Sequence, residues 1–189
     1  MKHAKTKESL SLVLRNALAL NADLYENARN RPRTHRIALT IVILAAVSHM
    51  LGSAVILLIN RASILILGLA LLLDGASVVL GYYFWTFTIW KIGNYLSRHS
   101  PSYGDLLSPI GFAYAPQVLN FLTLIPLMGQ GIGLVLAAWS LLAVIVAVRQ
   151  GLDLSTRAAA LICLVGWPLV QIAIGLIQVS EQWFVKAGS

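Results

Sequence analysis

Five long apolar runs alternate with short polar segments along the chain. The runs cover residues 37–59, 63–90, 106–127, 131–148 and 158–179. About 20 consecutive apolar residues are enough for an α-helix to cross the hydrocarbon core of a bilayer. The pattern therefore predicts an all-α protein, a polytopic transmembrane helical bundle of five spans that occupies residues 37–179.

Lysine and arginine are unevenly distributed among the polar segments. If the N-terminus is inside, twelve of these residues fall on the inner side and two, Arg61 and Lys186, on the outer side. Loops rich in Lys and Arg stay on the cytoplasmic side of a membrane. The count predicts that the N-terminus lies inside and the C-terminus outside, with residues 180–189 as a short outer tail.

The composition supports a membrane location. The chain is 58% hydrophobic and 11% charged, with a mean hydropathy of +0.79, whereas roughly a quarter of the residues of a soluble domain are charged. The sequence thus predicts an integral, multi-pass membrane protein, in the inner or plasma membrane if the chain is prokaryotic.

The formal net charge is +7, and most of the basic residues precede the first apolar run. Such a charge can attract nucleic acid, but Lys and Arg beside a span also bind anionic lipid headgroups. The position next to a span favours the lipid bilayer as partner over nucleic acid. The residues expected at the inner membrane surface are Arg29, Arg31, Arg33 and Arg36.

Residues 1–36 form a basic N-terminal segment with a helical pattern of its own. A first amphipathic helix is predicted, and a second short helix should end near residue 30. One interpretation is a helix lying on the inner membrane surface; the other is a docking segment for a cytoplasmic partner. The apolar positions that recur at helical spacing are Leu10, Val13, Leu14, Ala17 and Leu18.

The third apolar run, 106–127, contains three prolines. Pro109 suits the first turn of a helix, Pro116 should break the span near its middle, and Pro126 precedes a glycine-rich turn. Pro168 places a second break in the fifth run. Interrupted helices can mark a transporter site or be fixed kinks of a scaffold.

Asp74 lies about ten residues into the second run, where an ionised side chain costs about 2.5–3.5 kcal/mol on insertion scales. His49 lies at a similar depth in the first run, so a His49–Asp74 hydrogen bond or ion pair is expected. Asn120 and Gln171 fall in the same half of their spans and extend the candidate polar site. The pair is interpreted as a clasp between helices or, alternatively, as a proton- or ion-handling site.

No catalytic signature occurs in the chain. The four histidines are scattered, and no zinc-protease, nucleophile-elbow or phosphate-binding motif is found. The sequence therefore predicts a protein that is not an enzyme, with no catalytic residues, no metal ligands and no cofactor.

Residues 111–157 contain an ordered set of short motifs. A Gly-aromatic pair is followed by two X-Pro pairs, a glycine-rich turn and a Trp-Ser-Leu triplet. Upstream, "DLYENARNRPRTHRIALTIVILAAV" leads into an alanine-rich first span. Together these segments resemble the Yip family, the Rab-GTPase-interacting membrane proteins. The residues that carry the resemblance include Gly111, Phe112, Pro116, Pro126, Trp139, Arg149 and Ser155. Pro168, in the middle of the fifth run, is a further expected kink position.

The resemblance implies five spans with the N-terminus inside, in agreement with the charge count. The better-known eukaryotic members recruit Rab GTPases through a longer cytosolic N-terminal region, so a Rab-type partner is expected only if the chain is eukaryotic. With 36 residues before the first run, the chain is similar to the short prokaryotic members. The expected function is a non-enzymatic membrane adaptor or organiser that binds a membrane-protein partner, a second copy or lipid. The alternative is a small ion- or proton-coupled transporter that uses His49 and Asp74.

Overall fold

The computed structural model describes residues 9–28, 32–61, 63–96, 102–125 and 127–166, and this part of the chain is helical without any strand. The helices, in chain order, are α1 (Leu10–Leu18), α2 (Ala22–Glu26), α3 (Pro32–Ile59), α4 (Ile64–Leu96), α5 (Tyr103–Phe112), a 3₁₀ helix (Ala115–Leu124), α6 (Gly129–Leu152) and α7 (Thr156–Gly166).

Three helices in the described part are long and apolar enough to cross a membrane: Arg33–Ile59, Ile64–Tyr95 and Gly129–Leu152. They contain the predicted first and fourth runs and all of the second except Ser63. The prediction of a helical protein with helices suited to a membrane is thus confirmed for the described part. The start of the fifth run lies in α7, and its remainder lies outside the described residues.

The third run is not one long helix. It is divided into α5 and the 3₁₀ helix, with a turn at residues 113–114. Pro116 lies at the start of the 3₁₀ helix, as expected for the residue that breaks the span. The assignment of Pro109 to a first helical turn was wrong, because α5 already begins at Tyr103 and Pro109 lies in its interior.

The start of α5 is fixed by its first acidic residue. The Asp105 carboxylate accepts hydrogen bonds from the Ser102 backbone N–H at 3.0 Å and from the Ser102 hydroxyl at 2.8 Å. This is the acidic side of a capping box, which satisfies a donor that the helix itself leaves unpaired. The spacing Ser102-x-x-Asp105 therefore determines where α5 begins.

Helices α3 and α4 are antiparallel neighbours joined by a tight link at Asn60 and Arg61. Close approach is possible where Gly75 faces Met50, since a Cβ on this glycine would lie 2.7 Å from the Met50 sulfur. The first half of α4, from Ile64 onward, exposes its apolar side chains. Exposed apolar surface of this extent suits contact with lipid tails.

Helix α3 lies against α4, α5 and the 3₁₀ helix, and α6 also packs on α5 and the 3₁₀ helix. The apolar core lies between these elements. Helix α7 adds Ile162 and Cys163 to it and approaches α4 at Trp85. The largest fully buried side chains of the bundle include Ile41, Tyr82, Ile89, Phe112 and Val148.

Helices α1 and α2 pack on this bundle. Val13, Ala17 and Tyr25 are fully buried in the same core. The Tyr25 ring meets Phe112 edge-on at a centroid distance of 6.3 Å, and its hydroxyl donates to the Ala17 carbonyl at 3.1 Å. Burial raises the pKa of the Tyr25 phenol, so the hydroxyl keeps its proton at neutral pH. The predicted amphipathic helix is confirmed, and its apolar side contacts protein.

Candidate functional site

A set of polar side chains joins three elements in the interior of the bundle. The Gln117 side chain, on the 3₁₀ helix, donates through Nε2 to the Ser140 hydroxyl of α6 at 2.8 Å. Its Oε1 lies 3.4 Å from His49 Nε2 on α3. Because an amide oxygen only accepts, His49 carries a proton on Nε2 in this bond. Gln117 therefore bridges α3 and α6.

A second hydrogen bond joins the 3₁₀ helix to α3, at the residue that precedes His49. The Ser48 hydroxyl, 4% exposed, accepts the backbone N–H of Phe121 at 2.8 Å. Runs of 3₁₀ helix longer than three or four residues are uncommon because their hydrogen-bond geometry is poor. Within a bilayer each backbone donor must find a partner in the protein. Ser48 supplies one such partner and stabilises the irregular segment.

The expected His49–Asp74 bond is not formed. Asp74 accepts a hydrogen bond from the Ser53 hydroxyl through Oδ2 at 2.8 Å, whereas His49 is bonded to Gln117. The two residues do lie on the neighbouring helices α3 and α4. Ser53 lies four residues after His49 on the same face of α3 and is the one that meets Asp74. The depth estimate behind the prediction was therefore wrong by about one helical turn.

Asn120 and Gln171, the two amides predicted to extend the His49–Asp74 site, can be checked to different extents. Asn120 is half-buried on the 3₁₀ helix, and its backbone carbonyl accepts the Thr123 hydroxyl at 2.7 Å. Gln171 lies outside the described residues. A shared layer of all four side chains is therefore not seen in the described part, where the bridging amide is Gln117.

The motif residues make close contacts between elements. Gly111 allows α5 to touch α3, because a Cβ there would lie 2.9 Å from the Ala38 Cβ. Trp139 donates through Nε1 to the Leu18 carbonyl at 3.1 Å, which ties α6 to the end of α1. Pro116 is buried. Pro126 and Pro168 lie outside the described residues.

Of the four arginines predicted at the inner membrane surface, two lie in the described part of the chain. Arg33 and Arg36 are exposed on the first turns of α3. Arg29 and Arg31 lie outside the described residues. A basic surface at the start of α3 is thus available for contacts with headgroups or protein.

Sequence reasoning overlooked the residues that connect the site. Gln117, Ser48, Ser53 and Ser140 make its hydrogen bonds, and none of them was a candidate. Serine in an apolar helix is too common to indicate a site. Gln117 had a usable signal, because it directly follows the proline that breaks the span and such a position must lie against protein.

Replacing Gln117 with leucine should destabilise the bundle by about 1–3 kcal/mol, because His49 and Ser140 then lose their shared partner. Thermal unfolding in detergent micelles measures the change. Asn120→Leu is the matched control, since its side-chain amide makes no hydrogen bond with the described residues. Equal melting temperatures for the two variants would contradict a bridging role for Gln117.

No curated protein and no solved structure matches the chain. The Yip1 domain model matches residues 19–177, a range that includes every element from α2 to α7. The chain therefore belongs to the Yip1 domain family.

Proposed function

We propose that the protein is a non-enzymatic membrane adaptor or organiser of Yip type. It spans the membrane five times, with the N-terminus inside and the C-terminus outside, and binds partner membrane proteins, a second copy of itself or lipid. Membership of the Yip1 domain family and three helices of spanning length support the proposal.

The bridge made by Gln117 is the observation that favours a scaffold. It joins α3, the 3₁₀ helix and α6 through one side chain, and Ser48 adds a backbone bond beside it. Polar groups that bond to one another in this way stabilise a fixed arrangement of helices. A fixed bundle suits a protein that presents surfaces to partners.

The transporter alternative has no observation in its favour. It depends on His49 and Asp74 acting together, but His49 is bonded to Gln117 and Asp74 to Ser53. Their separate partners make each residue part of a helix–helix contact.

The basic start of α3 is the surface through which we expect a partner to bind. Arg33 and Arg36 are exposed there, whereas the apolar sides of α1 and α2 are already covered by the bundle. Deleting residues 1–36 would remove Val13, Ala17 and Tyr25 from the core, so a deletion would test folding as well as binding. Charge reversal on α3 avoids this problem.

The double variant Arg33→Glu, Arg36→Glu should reduce the amount of co-purifying partner at least tenfold. The full chain is purified from its native membrane in nanodiscs, and bound proteins and lipids are identified by mass spectrometry. Arg157→Glu, at the exposed start of α7, is the matched control and should retain the partner. If the wild-type chain emerges alone or with bulk lipid, the adaptor function is wrong.

A further inference from the structure

The tip of the N-terminal helix pair lies far along α6. Helices α1 and α2 are joined at residues 19–21, and the Leu18 carbonyl beside this tip accepts the Trp139 Nε1–H at 3.1 Å. Trp139 lies ten residues before Arg149, the basic residue in the last turn of α6. At 1.5 Å per residue, the tip is therefore about 15 Å along α6 from Arg149.

The surface that this helix pair turns away from the bundle is polar. Its apolar side chains are buried against the other helices, and Leu10 is the one large apolar side chain that residues 9–28 expose. Charged side chains are costly among acyl chains, so this surface belongs in water or among lipid headgroups. Its exposed charged and amide residues are Arg15, Asn21, Asp23, Glu26 and Asn27.

Helix α4 presents a different surface to the membrane. It exposes large apolar side chains from Ile64, 89% exposed, to Phe87, 45% exposed. These residues are 23 positions apart, which corresponds to about 35 Å of α-helix. The hydrocarbon core of a bilayer is about 30 Å thick. The exposed apolar surface of α4 thus fits a bilayer of ordinary thickness.

The two surfaces can be compared in height because α4 and α6 meet where both helices end. A Cβ on Gly93 would lie 2.7 Å from the Leu152 Cδ1. Trp139 is 13 residues, about 20 Å, from this contact along α6, and Phe84 is nine residues, about 14 Å, from it along α4. The polar tip therefore lies farther from this end of the bundle than Phe84, an apolar side chain that is 46% exposed. A flat boundary between hydrocarbon and headgroups does not fit both.

We propose that the hydrocarbon layer is thinner beside α1 and α2 than beside α4, because water and headgroups reach the level of Trp139 there. Ten residues, about 15 Å, separate Trp139 from Gly129 at the start of α6, which is half the ordinary thickness of the hydrocarbon core. A bilayer adapts to a short apolar stretch by thinning locally. The proposal goes beyond the adaptor function, since it requires the bilayer alone and no protein partner.

The test compares the surroundings of Ala19 and Phe84, which are exposed at the tip of the helix pair and on α4. Each is replaced by cysteine in the full chain, labelled with a nitroxide and reconstituted in nanodiscs. Collisions of the nitroxide are measured with oxygen, which concentrates in hydrocarbon, and with a nickel chelate, which stays in water. We expect the nickel-to-oxygen collision ratio to be at least fivefold higher for Ala19→Cys than for Phe84→Cys.

The unsubstituted chain is the blank, because its one cysteine, Cys163, is fully buried and should take up no label. Arg15→Cys, exposed on α1 within one turn of Leu18, replaces Ala19→Cys if that variant does not fold. A ratio less than fivefold higher at the tip than at Phe84 overturns the proposal. Both labels in water would mean a flat boundary beyond Phe84, and both in hydrocarbon would place α1 and α2 among the acyl chains.

Discussion

Phe112→Ala should destabilise the folded bundle by about 3–5 kcal/mol, the usual cost of removing a fully buried phenyl ring. Phe112 is 0% exposed at the end of α5. It also provides the surface against which the Tyr25 ring packs, so its loss should detach α2 as well as lower the melting temperature. Thermal unfolding in detergent measures the first effect, and limited proteolysis within residues 9–28 measures the second.

The control for this variant is Phe84→Ala. Phe84 is 46% exposed on α4, so its truncation removes few protein contacts and should change the melting temperature only slightly. If the two alanine variants unfold alike and the N-terminal helices stay protected in both, then α1 and α2 are not held by the core around Phe112.

Gly129→Ala should be the second most damaging change, with a loss of about 3 kcal/mol from overpacking. A Cβ at this position would overlap the backbone carbonyl oxygen of Thr123. A backbone carbonyl of the 3₁₀ helix cannot rotate away as a flexible side chain can. The expected result is a lower melting temperature and a displaced start of α6.

Gly131→Ala is the control that distinguishes the contact with Thr123 from the general effect of replacing glycine with alanine at the start of α6. Gly131 lies in the first turn of α6 with no neighbouring atom within 4 Å of the added methyl group. Alanine is favoured over glycine in a helix by roughly 1 kcal/mol, so this variant should be neutral or more stable. Loss of stability in the Gly131→Ala protein comparable to that of Gly129→Ala would show that the Thr123 contact is unimportant.

The sequence predicted the helices well where apolar runs are long and regular. The runs at 37–59 and 131–148 lie within helices of the described part, as does the run at 63–90 except for Ser63. Long apolar segments leave few alternatives in a bilayer, since the backbone must satisfy its own hydrogen bonds. The break at Pro116 was predictable for the same reason, because proline lacks the N–H that an α-helix requires at this point.

The partners of the polar residues were less predictable. Residue spacing estimates the depth of a side chain only to about one helical turn, because packing sets how far one helix is shifted along its neighbour. His49 and Ser53 are one turn apart, yet only Ser53 reaches Asp74. The contact of Trp139 with the Leu18 carbonyl joins residues 121 positions apart, and no local pattern indicates such a contact.

The 3₁₀ helix also changes how far the third run can reach. A 3₁₀ helix rises about 2.0 Å per residue, so its ten residues extend about 20 Å, where an α-helix of the same length extends about 15 Å. The 3₁₀ helix is thus about 5 Å longer than an α-helix of the same ten residues, so the proline-broken segment covers more distance without additional residues.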